Sequence, residues 1–192
     1  ASFTGASFGS ELAFLKTQFL YGSQPVNMKE LQVGATAYFW DSIWAGGLDL
    51  SGARLHKAVL GFPNGREGEL SSLRLENAVI DQTLKLESLQ IARLESRKLA
   101  VKDGVELIGV KILDGADLRE STISSLNFQT TVWPQKPDSL WLEGLTYQTL
   151  GAGADPEGWE LLVGWVEQGR YDTRNYGQLE TFFKRGGNKD RA

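Results

Sequence analysis

The sequence predicts a mainly β fold in which the chain winds as a parallel solenoid and ends in a short helical cap. Pairs of apolar residues recur every five positions over most of residues 1–133. On an α-helix, apolar residues at every fifth position would rotate by about 140° per repeat and form no continuous face. Five is also odd, so a flat strand would place successive repeats on opposite faces. A chain that turns a corner after each unit directs every apolar pair at one axis, which defines a solenoid.

Each five-residue unit places a small or aliphatic residue two positions before a larger apolar one. The larger residues, expected at the centres of the solenoid faces, include Phe3, Phe8, Leu50, Leu55, Leu75 and Leu118. The smaller residues, expected near the corners, include Ala1, Ala6, Ala53, Ala58 and Ala116. Gly5, Gly52 and Gly115 lie between units, where a tight corner needs a permissive backbone.

Two stretches interrupt this period. Residues 9–25 carry apolar side chains at helical spacing, but Phe14 and Phe19 also suit the five-residue register, so helix and strand both remain open there. Residues 61–69 are polar and rich in turn-forming residues, which predicts a loop that leaves a corner of the solenoid.

The pattern changes after residue 133, where Pro134 and Pro137 are expected to stop the solenoid. We expect residues 134–192 to form a linker plus a helical hairpin. One face of the first helix would carry Trp159, Leu162, Trp165 and Val166, and one face of the second Tyr176, Leu179, Phe182 and Phe183. Since an uncovered last coil would pair with other strands, the hairpin is expected to cap the solenoid.

Composition excludes several classes of function. The 192 residues carry 20 Lys and Arg against 24 Asp and Glu, a net charge of -4, which argues against a nucleic-acid partner. The chain has no cysteine and one histidine, so disulfides, thiolate nucleophiles and Cys/His zinc sites are excluded.

The repeats resemble a known family. Units 1–5, 48–52 and 116–120 read Ala-Ser-Phe-Thr-Gly, Leu-Asp-Leu-Ser-Gly and Ala-Asp-Leu-Arg-Glu. This pattern is similar to that of the pentapeptide-repeat family, whose members form right-handed parallel β-helices of roughly square section. The resemblance implies such a β-helix over residues 1–133. Leucine replaces the small residue at positions 73, 84, 89 and 94, so we expect a degenerate, wider and rounder coil.

The tail carries a second resemblance. Leu142-Glu-Gly-Leu-Thr-Tyr147, followed by segments 171–179 and 187–192, is similar to a bacterial family in which β-helical repeats precede a Tyr-rich helical hairpin. Many members are labelled membrane-associated and some oxidoreductases, and apolar membrane segments often follow the hairpin. The resemblance implies that this chain is the soluble fragment of a membrane-associated bacterial protein, on either the cytoplasmic or the periplasmic face.

The residues that could carry catalysis or bind a cofactor or metal form no convincing set. Ser7 lies in a Gly-x-Ser-x-Gly string that tandem repeats produce, and His56 is expected on the surface. Asp114 and Asp117 lack a third calcium ligand within their segment, and residues 151–154 lack the third glycine of a dinucleotide site. We therefore expect no catalytic, cofactor or metal residues.

Aromatic residues are concentrated in residues 38–44. In the five-residue register Tyr38 and Ile43 point inward, and Phe39, Trp40 and Trp44 then point outward or to corners. One interpretation is a surface that binds a protein partner or lipid headgroups through these three rings. The alternative, which we favour, is that the rings pack against residues 9–25 or beneath the tail helices.

The predicted function is a non-enzymatic scaffold that binds a protein partner. Some pentapeptide-repeat proteins mimic DNA and inhibit or protect type II topoisomerases, which would need a stripe of carboxylates along the rod. A carbohydrate-active β-helix enzyme is a second alternative, and it would need clustered acidic residues on one face.

Overall fold

The computed structural model describes residues 1–20, 23–63, 66–128, 130–151, 158–170 and 172–185, with the backbone alone at 158 and 159. These residues form eighteen strands and two helices. The strands are β1 (Ser7–Phe8), β2 (Leu12–Leu15), β3 (Gln18–Phe19), β4 (Val26–Asn27), β5 (Gln32–Trp40), β6 (Ile43–Trp44), β7 (Leu48–Asp49), β8 (Arg54–Gly61), β9 (Gly68–Arg74), β10 (Val79–Ile80), β11 (Thr83–Glu87), β12 (Leu89–Glu95), β13 (Ala100–Val101), β14 (Gly104–Ile108), β15 (Lys111–Asp117), β16 (Thr122–Asn127), β17 (Leu140–Trp141) and β18 (Thr146–Gly151). The helices are α1 (Gly158–Gln168) and α2 (Thr173–Arg185).

The chain winds through a parallel β-solenoid of six turns, which confirms the predicted fold class. Positions that pair in successive coils are Ser7, Gln32, Arg54, Val79, Ala100, Thr122 and Thr146, so one coil takes 21 to 25 residues. Each coil has four faces, which in the first two coils begin at Ser7 (face 1), Leu12 (face 2), Gln18 (face 3) and Val26 (face 4). Four five-residue units account for about twenty residues, so the coil is longer than a strict repeat, as expected.

One corner of the solenoid is the same turn in every coil. The fourth residue of the turn donates its N–H to the carbonyl of the first, as Ala53 does to Leu50 at 3.0 Å. The third residue always has a left-handed φ, between 56° and 74°; these residues are Gly5, Glu30, Gly52, Asn77, Lys98, Glu120 and Gly144. This is the conformation that a type II turn requires. The predicted corners at Gly5 and Gly52 are confirmed, whereas Gly115 lies inside β15.

The interior consists of ladders of buried side chains that continue from coil to coil. The predicted central and corner residues Leu50, Leu55, Leu75, Leu118, Ala53, Ala58 and Ala116 are all at most 3% exposed. Ser96 and Ser121 interrupt the apolar ladders, and their hydroxyls donate to the carbonyls of Asp117 at 2.9 Å and Ser96 at 2.6 Å. Both buried hydroxyls are therefore satisfied, which removes most of the cost of their burial.

Three expectations about the chain's segments are resolved. Residues 9–25 contain strands β2 and β3, so this part of the chain is the first coil. The turn-rich segment 61–69 connects β8 to β9, in agreement with the predicted loop. Its first residue belongs to β8 and its last two residues belong to β9. The boundary after residue 133 was wrong, because β17 and β18 continue the sheets to Gly151. The two prolines lie in a longer connection within the last coils.

Two helices cover the C-terminal end of the solenoid. Leu162, Trp165 and Val166 of α1 are buried, and so are Leu179 and Phe183 of α2; Tyr176 and Phe182 are partly buried. The predicted helical cap is thus confirmed, and the side chain of Trp159 lies outside the described part of the chain.

Side chains of the cap replace hydrogen bonds that a further coil would supply. The Gln178 amide donates its Nε2–H to the carbonyl of Leu145 at 2.7 Å, and its Oε1 accepts the N–H of Tyr147 at 3.3 Å. The Asp172 carboxylate accepts the N–H of Arg174 at 2.9 Å, which holds its pKa below the usual range, and it lies beside the backbone of Gly144. In earlier coils the residue at the position of Gly144 donates its N–H to a carbonyl of the next coil, as Glu120 does to Glu143 at 2.9 Å. Segments 142–147 and 172–179 therefore form a capping device.

Replacing Leu118 by Arg should prevent folding, because Leu118 is 3% exposed and a charge would enter the interior ladder at a cost of several kcal/mol. Leu113→Arg is the matched control five residues earlier, on β15, because Leu113 is 41% exposed. Circular dichroism should show β-structure in the control and its loss in Leu118→Arg. A folded Leu118→Arg variant would contradict the inward position assigned to Leu118.

Replacing Gln178 by Leu should lower the free energy of unfolding by about 1–3 kcal/mol, because the carbonyl of Leu145 and the N–H of Tyr147 would lose their partner. Gln168→Leu, on the exposed side of α1, should change it much less. Urea denaturation followed by tryptophan fluorescence measures both. Equal stability of the two variants would show that the amide does not cap the strand.

Candidate interaction surface

The structure corrects the predicted orientation of the aromatic residues in segment 38–44. Phe39 is 1% exposed and Trp44 is 3% exposed, so both rings lie inside the solenoid. The register of β5 against β8 shifts between Val33 and Thr36, where β5 contains one extra residue. This bulge moves the inward position from Tyr38 to Phe39. Phe39 and Trp44 therefore do not contribute to an exposed surface.

The buried rings pack against the first coil, as the favoured interpretation predicted. Phe14 stacks on Phe39 with ring centroids 5.8 Å apart and meets the edge of Trp44 at 5.7 Å. Phe19 stacks on Trp44 at 4.6 Å. Such aromatic pairs stabilise by roughly 0.5–1.5 kcal/mol each beyond the area that they bury. This cluster joins the first coil to the second.

Trp40 is the member of the predicted trio that points outward. It is half-buried on face 2, and the ring of Tyr38 contacts it edge to face at 6.0 Å. Leu15 lies at the same position in the first coil and is 59% exposed. Gly61 follows at this position in the third coil, so that coil places no side chain at the position paired with Trp40. We call Leu15, Tyr38 and Trp40 the Trp40 patch.

A strict five-residue register contains no bulge, so it does not identify Leu15 and Tyr38 as members of this outward patch. A signal for the bulge was present at Gly34, a glycine inside a strand pattern. A Cβ there would lie 2.7 Å from the carbonyl oxygen of Gly9, so the two coils approach too closely for any larger residue. One further apolar side chain, Ile43, is 40% exposed on face 3 of the second coil.

Charged side chains of both signs form a column on face 4. Asp49, Arg74, Glu95 and Asp117 occupy the same outward position in successive coils. Arg74 lies between two of the carboxylates, with its Nε 2.9 Å from Glu95 Oε2 and its Nη1 3.9 Å from Asp49 Oδ2. The column therefore presents paired charges of both signs rather than the acidic stripe of a DNA mimic.

The side chains considered for chemistry lie apart. Ser7 is exposed on face 1 of the first coil, and His56 is exposed on the same face of the third. Lys136 donates to Asp114 at 2.7 Å, and this hydrogen bond holds the pKa of Asp114 below its usual range. Arg119 donates to Asp117 at 2.9 Å. Among the described residues, no three His, Cys, Asp or Glu side chains are placed to hold a metal ion.

A second apolar surface lies between α1 and the last coils. It is a cleft of about 370 Å³ with Phe128, Trp133 and Trp165 at its base and the exposed Leu161 at its rim. The ring of Phe128 lies 5.1 Å from that of Trp165 and 5.7 Å from that of Trp133. These three rings anchor α1 to the solenoid, so the base of the cleft belongs to the cap.

No protein-family profile, curated protein sequence or solved structure matches the chain. The class of protein is therefore established by the fold alone, as a capped parallel β-solenoid. In the part of the chain that the structure describes, no helix is both long enough and apolar enough to cross a membrane.

Phe39→Ala should lower the free energy of unfolding by about 3–5 kcal/mol, because a buried aromatic side chain is removed from the first two coils. Trp40→Ala should cost clearly less, because that side chain is only partly buried. Guanidinium denaturation of both variants measures the difference. A larger loss in Trp40→Ala than in Phe39→Ala would contradict the bulge at residues 33–36.

Proposed function

We propose that the protein is a non-enzymatic scaffold that binds a protein partner through the Trp40 patch. The observation that carries the proposal is an outward pair of aromatic rings, Tyr38 and Trp40, on a strand that is paired on both sides. Aromatic side chains on a rigid surface lose little conformational entropy on binding and are enriched among the residues that dominate binding energy.

The surroundings of the patch favour a protein over a small ligand. The rings are flanked by the exposed aliphatic side chain of Leu15 and by Gly61, which carries no side chain. This gives a shallow apolar strip along face 2 rather than the concave site that small ligands need. Lys85 and Glu87, which form an ion pair at 2.8 Å in the fourth coil, give the strip a polar edge like the rim of a protein interface.

We further propose that the chain is the soluble part of a membrane-associated bacterial protein of the pentapeptide-repeat type. The support is the resemblance of the repeats and of segments 142–147 and 171–192 to proteins with that organisation. Fractionation of cells that express the native gene tests this proposal. We expect the protein to stay with membranes through salt washes and to leave them in detergent; a fully soluble protein would overturn it.

Cross-linking in the source cells tests the partner surface. A benzophenone amino acid at position 15 should give a discrete adduct of higher mass, because Leu15 is 59% exposed beside Trp40. The control places the same group at Thr4, which is exposed at the corner between faces 4 and 1 of the same coil. Adding Trp40→Ala should remove the adduct, and excess purified chain should compete for it.

Two results would contradict this location of the partner site. One is an adduct of equal intensity from positions 4 and 15. The other is an adduct that survives Trp40→Ala but is lost in Leu161→Asp, which would move the partner site to the cleft beside α1.

A further inference from the structure

The cleft beside α1 has the size of a binding site for a small molecule. Its volume is about 370 Å³, within the range of sites that take small organic ligands. One side of α1 forms one wall, and Phe128 with the segment 131–135 forms the other wall. The rings at its base anchor the cap, and the described residues leave the space above those rings open.

The walls of the cleft carry apolar side chains that reach solvent. Val132 on the solenoid side is 48% exposed, and Leu161 on α1 is 63% exposed. Below them the rings of Phe128, Trp133 and Trp165 pack against one another with centroids 5.1–5.7 Å apart, so the floor is rigid. An apolar body in the cleft would remove both exposed aliphatic side chains from water, which favours binding.

Gly164 keeps the helical wall of the cleft low. It lies in the interior of α1, where glycine weakens a helix relative to alanine. Nothing lies within 4 Å of the position that a Cβ would take, so packing does not require glycine there. Side chains on a helix lean toward its N-terminus, so a larger residue would lie over the turn that carries Glu160 and Leu161. Glycine at this position therefore preserves open space in the cleft.

The charge of the cleft is negative. Among the described residues that line it, Glu160 is the charged one, and its side chain is exposed. Two lysines lie nearby, but both have acidic partners. Lys111, whose backbone pairs with the solenoid wall, lies 2.8 Å from Glu67, and Lys136 lies 2.7 Å from Asp114. The Glu160 carboxylate is therefore left to attract a positive group from outside the chain.

We propose that this cleft binds a small organic cation, an apolar body that carries an amine or a quaternary ammonium group. The apolar body would lie between Val132 and Leu161, above the aromatic floor. The cationic group would lie beside the Glu160 carboxylate at the rim. An anion of the same shape would meet a like charge at that point, so the cleft selects its ligand by charge as well as by size.

Three probes that share one ring system and differ in charge test the proposal: 1-naphthylmethylammonium, 1-naphthalenemethanol and 1-naphthoate. NMR titration follows the indole N–H resonances of Trp133 and Trp165, which the ring current of a bound naphthalene would shift. The ammonium should bind about threefold more tightly than the alcohol, and the alcohol about threefold more tightly than the carboxylate, as expected for one exposed ion pair. Glu160→Gln should bring the three affinities together.

A matched pair of glycine substitutions locates the binding. Gly164→Leu should fill the cleft and abolish the binding of all three probes. Gly177→Leu makes the same change on α2, where a Cβ also has open space around it and the residue is exposed away from the cleft. It should bind the probes like the native chain. Circular dichroism should show the native fold in both variants, because neither added side chain meets another atom at its Cβ.

Three results overturn the proposal. One is the absence of a saturable shift with about 5 mM of the ammonium probe, since a site that weak gives no useful affinity. Another is binding that persists in Gly164→Leu, which would place the probe outside the cleft. The third is an equal affinity for the three probes in the native chain, or a charge preference that survives Glu160→Gln. Gly164→Leu should leave the adduct from position 15 intact, so failure of this proposal and failure of the Trp40 patch are separate results.

Discussion

Backbone hydrogen bonding between successive coils is the constraint on which the rest of this structure depends. The strand edges of each coil need hydrogen-bond partners from a neighbouring coil. The corners between strands have the same requirement. Four of the seven left-handed corner residues are not glycine: Glu30, Asn77, Lys98 and Glu120. A left-handed conformation costs such residues about 1 kcal/mol each. Each donates its N–H to the next coil at 2.9–3.0 Å, which holds the strained turn in place.

The same constraint explains how the C-terminal end of the solenoid is covered. A coil without a neighbour leaves donors, acceptors and an apolar layer uncovered, and the chain covers its last coil with side chains of an amphipathic helix. Gln178 can replace a strand because its amide carries a donor and an acceptor like the peptide group itself. Burial beneath this cap raises the pKa of Tyr147 to about 12, so the phenol stays neutral.

The sequence predicts the repeating part of the structure well, because five-residue periodicity is a direct consequence of side chains that point at one axis. Leu50, Leu55, Leu75 and Leu118 could be placed inside from their spacing alone. The period fails where one residue is inserted, at the bulge between Val33 and Thr36, and every inward residue up to Trp44 is then misplaced by one. It also fails at residue 134, because a proline stops a strand but does not stop a solenoid whose next strand begins at Leu140.

These two failures differ in what they mean for function. The boundary error changes only where the cap begins, since Asp172 and Gln178 act on the coil that ends at Gly151. The bulge changes which residues another molecule can reach. It buries Phe39 beside Phe14, where it joins two coils, and turns Tyr38 and Trp40 outward on a strand that is held on both sides. One inserted residue therefore creates the apolar strip on face 2, and because the interior rings are locked against the first coil, that strip is presented on a rigid support.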